Sequence, residues 1–185
     1  MIVPIAKNYK GLISITGPTR SGKSKLAEFL IKNHDPVTYI ATSRPRPSDP
    51  DWQNRIDLHK KRRPASWSLI ENPKDICKAI ELIKGDESIL IDSLGGLVEN
   101  NLKADDDQWN NFQNKLLNCL SENNLCIVVV SEEVGWGVVP STPIGHLFRE
   151  RHSNLSSLIS CQSNKRWLAV NGSAIDLDVI GDLIP

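Results

Sequence analysis

Residues 17–24 read Gly17-Pro18-Thr19-Arg20-Ser21-Gly22-Lys23-Ser24, which fits the pattern G-x-x-x-x-G-K-[ST]. Successive backbone N–H groups in such a loop, together with the start of the following helix, make a concavity for phosphate oxygens. Lys23 then reaches the β- and γ-phosphates of a nucleotide, and the Ser24 hydroxyl is placed for Mg²⁺. A second candidate is the apolar run Ser88-Ile89-Leu90-Ile91-Asp92, which ends in a carboxylate. That is how a Walker B aspartate is presented to Mg²⁺, although a solvated Asp that stops a strand gives the same pattern.

The third candidate is a histidine among cations. Between Arg44 and Arg63 there are seven Lys and Arg side chains against three Asp. Four of the cations, Lys60, Lys61, Arg62 and Arg63, directly follow His59. Such a cluster suits a triphosphate and its developing charge, and a solvated loop explains it equally. Cationic neighbours favour a neutral imidazole, which can attack the α-phosphate of a nucleotide and hold a nucleotidyl group covalently. His34, His146 and His152 have no comparable setting in the sequence. Fourth, Glu132-Glu133-Val134-Gly135-Trp136-Gly137 directly follows an apolar run. A carboxylate there can bind Mg²⁺, orient a hydroxyl or accept its proton, or it is simply an exposed turn.

The elements that must hold these residues alternate along the chain. Strands are expected at Leu12–Thr16, Val37–Ala41, Ser88–Asp92, Cys126–Ser131 and Arg166–Val170, short and apolar as in strands buried on both faces. Helical patterns lie between them. One spans Lys25 to Ile31. One is opened by Asn72 as cap with Pro73 in its first turn, closed by Gly85, and has Ile76, Ile80 and Ile83 on its apolar face. One runs from about Asp106 to Glu122 with an acidic start that suits the helix dipole. The last starts near Pro143, with Ile144, Leu147, Phe148, Leu155, Leu158 and Ile159 facing inward. Ser43 to Ala65 contains Pro45, Pro47, Pro50 and Pro64 and reads as a long loop enclosing a short helix near Asp51 to Lys60. Alternating strands and helices imply an α/β fold, a mostly parallel sheet with helices on both faces, and ligands gathered at the carboxyl ends of the strands.

A length of 185 residues suits a single domain, and 39% hydrophobic with 24% charged residues describe a globular chain. The formal net charge of zero gives no electrostatic case for nucleic acid or for a membrane surface. No apolar stretch reaches the roughly 20 residues of a membrane span, and the start of the chain does not read as a secretory signal. Cys77, Cys119, Cys126 and Cys161 contain no C-x-x-C pair and read as buried reduced thiols of a cytoplasmic protein. Asp92-Ser93-Leu94-Gly95 fits the D-x-x-G of regulatory GTPases, but in Asn164-Lys165-Arg166-Trp167 a tryptophan stands where a guanine-reading acid is required. A small-molecule kinase without a covalent step, or a non-catalytic GTP-binding regulatory protein, would explain the phosphate loop and Asp92 but not His59 with its cations.

Taken together, four blocks resemble the bifunctional adenosylcobinamide kinase and adenosylcobinamide-phosphate guanylyltransferase family of cobalamin biosynthesis. They are the loop Gly17–Ser24; Tyr39-Ile40-Ala41-Thr42-Ser43 with Arg55-Ile56, His59, Arg63-Pro64, Trp67 and Glu71; Ile91-Asp92-Ser93-Leu94 with Asn100 and Leu102; and Glu133 to Pro140 followed by Phe148-Arg149-Glu150. The resemblance covers nearly the whole chain from Gly11 and implies a P-loop NTPase (RecA-like) domain over residues 11–185, preceded by an extension at residues 1–10. It implies that His59 becomes guanylylated by GTP with release of pyrophosphate. The GMP then passes to adenosylcobinamide phosphate, and a separate step phosphorylates adenosylcobinamide with ATP or GTP. By the same resemblance Gly17 to Ser24 hold the phosphates, while Ala41, Thr42, Ser43, Lys60, Lys61, Arg62, Arg63 and Glu71 line the nucleotide site. Asp92 and Ser24 serve Mg²⁺, and the assembly is a homotrimer. The chain departs from the family pattern at Pro18, Glu132, Ser153, Ser156 and Ser157.

Overall fold

The computed structural model describes residues 9–182 and residue 184, apart from the side chain at position 55. The expected extension at residues 1–10 therefore lies outside the described residues except for its last two. Seven strands form one sheet: β1 (Leu12–Gly17), β2 (Val37–Ala41), β3 (Ser68–Glu71), β4 (Ser88–Asp92), β5 (Ile127–Glu132), β6 (Lys165–Val170) and β7 (Ser173–Asp176). Seven helices join them: α1 (Lys23–Ile31), α2 (Pro50–Arg62), α3 (Ile76–Glu81), α4 (Leu94–Asn100), α5 (Asp106–Ser121), α6 (Pro143–Gln162) and α7 (Leu177–Ile180).

The strand order is β3-β2-β4-β5-β1-β6-β7, parallel throughout except for the β6–β7 pair. Alternate residues of the central strands feed two cores, as a parallel sheet covered on both sides requires. Ile13, Ile15, Leu90, Val128 and Val130 pack with Ala27, Leu30 and Ile31 of α1. Leu12, Ile89, Ile91, Ile127 and Val129 pack under α3, α4, α5 and α6. The expected α/β architecture is the one observed, and all five expected strands are present within a residue or so at their ends.

Five local expectations need correction. The helix expected near Asp51 to Lys60 is present but longer: Asp49 caps α2 by accepting from the Trp52 N–H, Pro50 follows, and the helix continues to Arg62. Asn72 does not cap α3. It adopts φ 42, while the Asp75 carboxylate accepts from the Lys78 N–H and starts the helix. That helix stops at Glu81, with Leu82 as its C-cap, rather than at Gly85. Ile144 is exposed in the first turn of α6 instead of facing inward. Cys161 is exposed, whereas Cys77 and Cys126 are buried.

Candidate active site

Strand register sets the site. Glu71, Ala41 and Asp92 stand side by side at the carboxyl ends of β3, β2 and β4, and Glu132 of β5 stands beside Gly17 of β1. Parallel strands thus deliver the phosphate loop and three carboxylates to one edge of the sheet.

The loop is built around two glycines. A Cβ at Gly17 would collide with the carbonyl oxygen of Ala169, so only glycine lets β1 pass this close to β6. Gly22 caps α1 with φ 103, in the left-handed region that glycine enters without steric cost. Pro18 lacks an N–H, but its carbonyl accepts from the Ser21 N–H at 3.2 Å and from Lys23 Nζ at 2.8 Å. It therefore organises the turn as an acceptor while contributing no donor to a phosphate cradle. The Ser21 hydroxyl is buried with no hydrogen-bond partner, an orphan that a nucleotide phosphate can satisfy.

Asp92 lies at the centre, with 11% of its side chain exposed. Its Oδ2 accepts from the Tyr39 hydroxyl at 2.9 Å and lies 3.8 Å from His59 Nδ1, and Ser24 is near enough to favour the charged form of the same carboxyl group. Burial pushes the Asp92 carboxyl above the ordinary carboxylate range, while His59, Tyr39 and Ser24 pull it back only in part. Burial and the adjacent Asp92 push the Tyr39 phenol far upward, so it stays a hydrogen-bond donor. Ser24 and Asp92 are two hard oxygen ligands near one another, which fits Mg²⁺ bound through one carboxylate and completed by phosphates. Among the described residues no cluster of three or more His, Cys, Asp and Glu offers a metal site independent of a nucleotide.

His59 sits in the last turn of α2, with 22% of its side chain exposed. Arg62 Nη2 is 3.2 Å from His59 Nδ1, and Arg62 is itself held by Glu28 at 3.0 Å. Arg63 reaches back to the His59 carbonyl and stacks over the Tyr39 ring at 4.2 Å. The sequence placed only cations around this histidine; the fold adds an anion, Asp92. Lys60 and Lys61 are exposed on the same turn, and Glu71 is exposed at the end of β3. Thr42 is fully buried: its hydroxyl donates to the Ser93 carbonyl and accepts from the Ser93 N–H, so it braces β2 against the start of α4. Ala41 and Ser43 flank it at the end of β2, half-buried.

Sequence reasoning missed a second cluster beside this one. Glu132, the last residue of β5, accepts from the Ser93 hydroxyl, from the Gly95 N–H at 3.1 Å and from His152 Nε2 at 3.2 Å. Burial alone would raise its carboxyl group, but the bonds from His152 and Ser93 outweigh it and hold it at about 2. The apolar run at Cys126–Ser131 gives no sign of where the strand ends, which is at Glu132. Nothing in the sequence pairs it with His152, twenty residues later.

The description cobinamide kinase / cobinamide phosphate guanyltransferase belongs to the family model that matches residues 13–177. The chain belongs to this family. It is 29% identical over 181 residues to the bifunctional adenosylcobalamin biosynthesis protein CobU of Escherichia coli, covering 90% of this chain and 99% of that protein. It is 30% identical over 181 residues to CobU of Salmonella typhimurium, with the same coverage. To CobP of Pseudomonas aeruginosa it is 38% identical over 138 residues, 73% of this chain and 77% of that protein. Among solved structures it is similar to a Pyrococcus horikoshii protein with a TM-score of 0.53 and 9% identity, over 95% of this chain and 91% of that one. It is also similar to an ATPase of a type III secretion system, with a TM-score of 0.52 and 10% identity, over 94% of this chain and 59% of that one. At such identities the likeness speaks for the fold alone. This member of the cobinamide kinase / guanyltransferase family thus presents the phosphate loop and His59 on either side of one buried aspartate.

Proposed function

We propose that the chain phosphorylates the aminopropanol hydroxyl of adenosylcobinamide with ATP or GTP and then transfers GMP from GTP to adenosylcobinamide phosphate, giving adenosylcobinamide-GDP. The observation that carries this reading is the position of His59. Its Nδ1 is 3.8 Å from Asp92, the carboxyl group on which Ser24 of the phosphate loop also acts. A nucleotide seated on Gly17 to Ser24 is then within reach of the imidazole.

In the transfer half, a His59 nitrogen attacks the α-phosphorus of GTP as the bond to the β-phosphate oxygen breaks, so that pyrophosphate leaves and an N–P bond forms. A phosphate oxygen of adenosylcobinamide phosphate then attacks the same phosphorus and releases His59. One hard substitution becomes two easier ones. Lys23 and the loop amides hold the phosphates, and Arg62 and Arg63 lie beside the histidine where charge develops. Ala41, Ser43, Lys60, Lys61 and Glu71 edge the same end of the sheet as the nucleotide's outer contacts, with Thr42 as their brace. Mg²⁺, held by Ser24 and Asp92, neutralises phosphate charge when bound.

The reading also includes residues 11–185 as the catalytic unit, a cytoplasmic location and a homotrimer. Among the described residues no helix is long and apolar enough to cross a membrane. Trp136, Val138, Val139 and Ile144, between β5 and the first turn of α6, are exposed apolar residues that a neighbouring copy can cover.

The test is incubation with α-labelled GTP in the absence of acceptor. The wild type takes up an acid-labile, alkali-stable label, and His59→Ala takes up none while keeping its phosphorylation of cobinamide. A wild type that stays unlabelled defeats the covalent step.

A further inference from the structure

A cavity of about 590 Å³ lies between α6 and the sheet, on the side away from α1. Its wall includes Ser14 of β1, Ser131 of β5, and His152, Ser156 and Ser157 of α6. Ser14 and Ser131 are buried on central strands whose other residues on this face, Leu12, Ile127 and Val129, belong to the apolar core. Strands covered on both sides are normally aliphatic throughout. Here the sheet turns polar at the cavity, and the Ser131 and Ser156 hydroxyls meet across it at 2.7 Å.

His152 gives the second, independent sign of a ligand. It is only 1% exposed, its Nε2 is engaged by Glu132, and its Nδ1 is buried with no hydrogen-bond partner. Buried polar atoms of native proteins are nearly always paired, and leaving one unpaired is costly. Of the charged groups of the wall, Glu132 is taken by Ser93, Gly95 and His152, Glu133 by the Gly135 N–H at 2.6 Å, and Arg166 Nε by Asp178 at 2.6 Å, while Asp182 is exposed. What remains are hydroxyls, an imidazole nitrogen and the exposed Asp182 carboxylate over an apolar floor that includes Val129 and Ile159. Such a lining suits a neutral chain of methylenes, amides and hydroxyls, not a phosphate.

The cavity also leads to the right place. Its wall includes Thr16 and Glu133, and the Glu133 N–H donates to the carbonyl of Gly17, the first residue of the phosphate loop, at 2.8 Å. We propose that this cavity is the acceptor-arm site: it binds a neutral, amide- and hydroxyl-bearing arm of the acceptor through His152 Nδ1 and the Ser131 and Ser156 hydroxyls, and brings the arm's terminal hydroxyl out at Glu133 beside the phosphate loop. The inference rests on the reading of the protein as a cobinamide kinase and guanylyltransferase, and its volume suits one arm rather than a whole corrinoid.

Ser157 is exposed on α6, so Ser157→Phe fills the cavity from the solvent side without disturbing the core, and Ser157→Ala leaves it open. Cobinamide binding is measured by equilibrium dialysis, and labelling by GTP alone shows that the nucleotide site is intact. Cobinamide binds about tenfold or more weakly to Ser157→Phe and within about twofold of wild type to Ser157→Ala, with labelling kept in both. Ser153→Leu, on the same wall, gives the same loss should Ser157→Phe not fold. A filled cavity that binds cobinamide as the wild type does, or a wild type that does not bind it, overturns the acceptor site. An unlabelled wild type counts separately, against the guanylyl-transfer reading.

Discussion

Asp92 and Glu132 end neighbouring strands of one sheet, the Asp92 side chain 11% exposed and that of Glu132 37%, and the protein treats them in opposite ways. Glu132 receives a hydroxyl, a backbone N–H and an imidazole, and its carboxyl group is held at about 2. Asp92 receives the Tyr39 phenol, its nearest imidazole stays at 3.8 Å, and burial pushes its carboxyl group upward. A carboxylate whose charge is fully compensated by its own fold is a structural tie. One left short of compensation is a place where outside charge is welcome, a cation between phosphates above all. The contrast separates a strand end left open to outside charge from one tied to α4 and α6.

The strongest way to break this comparison is Asp92→Asn. Asparagine has the same shape and can still accept from Tyr39, so the fold is kept while the charge is lost. Cobinamide phosphorylation and GTP labelling of His59 both fall by about a thousandfold, the scale of losing a principal electrostatic contact in a phosphoryl-transfer site. Initial rates of the two reactions measure it. Rates within tenfold of wild type would put the functional carboxylate elsewhere, with Glu132 or Glu133 next in line.

How much of this could be read from residue order follows from what each feature depends on. The Gly17–Ser24 loop and Asp92 are local patterns, a fixed spacing and an apolar run ending in an acid, and the structure puts the loop between β1 and α1 and Asp92 at the end of β4. His59 was found as a residue, but its helix was not seen to its full length, because α2 carries few apolar side chains and so shows little periodicity. Strands β3 and β7 were missed for a similar reason: they are short, partly exposed edge strands. Helix α4 hides behind Gly95 and Gly96, poor helix formers; a Cβ at Gly96 would run into the Thr42 hydroxyl, so the glycine answers to packing and not to propensity. Tyr39 with Asp92, and Glu132 with His152, are partnerships made by strand register and by a helix returning over a strand end. No spacing in the sequence encodes either.

A smaller change sharpens the contrast from the Asp92 side. Tyr39→Phe removes the phenol donor and nothing else. The bond it deletes lowers the Asp92 carboxyl group, so without it that group rises further. Activity that needs the carboxylate is then lost at a higher pH. Rates fall about tenfold near neutrality, as expected for a hydrogen bond to a charged group, and the acid limb of the pH–rate profile moves upward. A uniform loss with an unmoved acid limb would mean that Tyr39 acts by packing alone.

The smallest effect comes from the Glu132 side and concerns stability. Glu132 is held at about 2, below its ordinary 4.5, so its charged form is favoured by the folded protein. The stability it supplies is fully present above about pH 4.5 and is lost as pH falls toward 2. Its side chain keeps 37% exposure, and solvent screening reduces the contribution to about 1 kcal/mol. Glu132→Gln therefore melts about 2–4 °C below wild type at pH 7. The gap closes as pH is lowered from 4.5, because the wild-type carboxylate is then protonated too. Paired thermal melts across that range decide it. A gap that stays constant with pH would assign the loss to the shape of the hydrogen-bond network instead of its charge, and Glu132 would no longer be the compensated counterpart of Asp92.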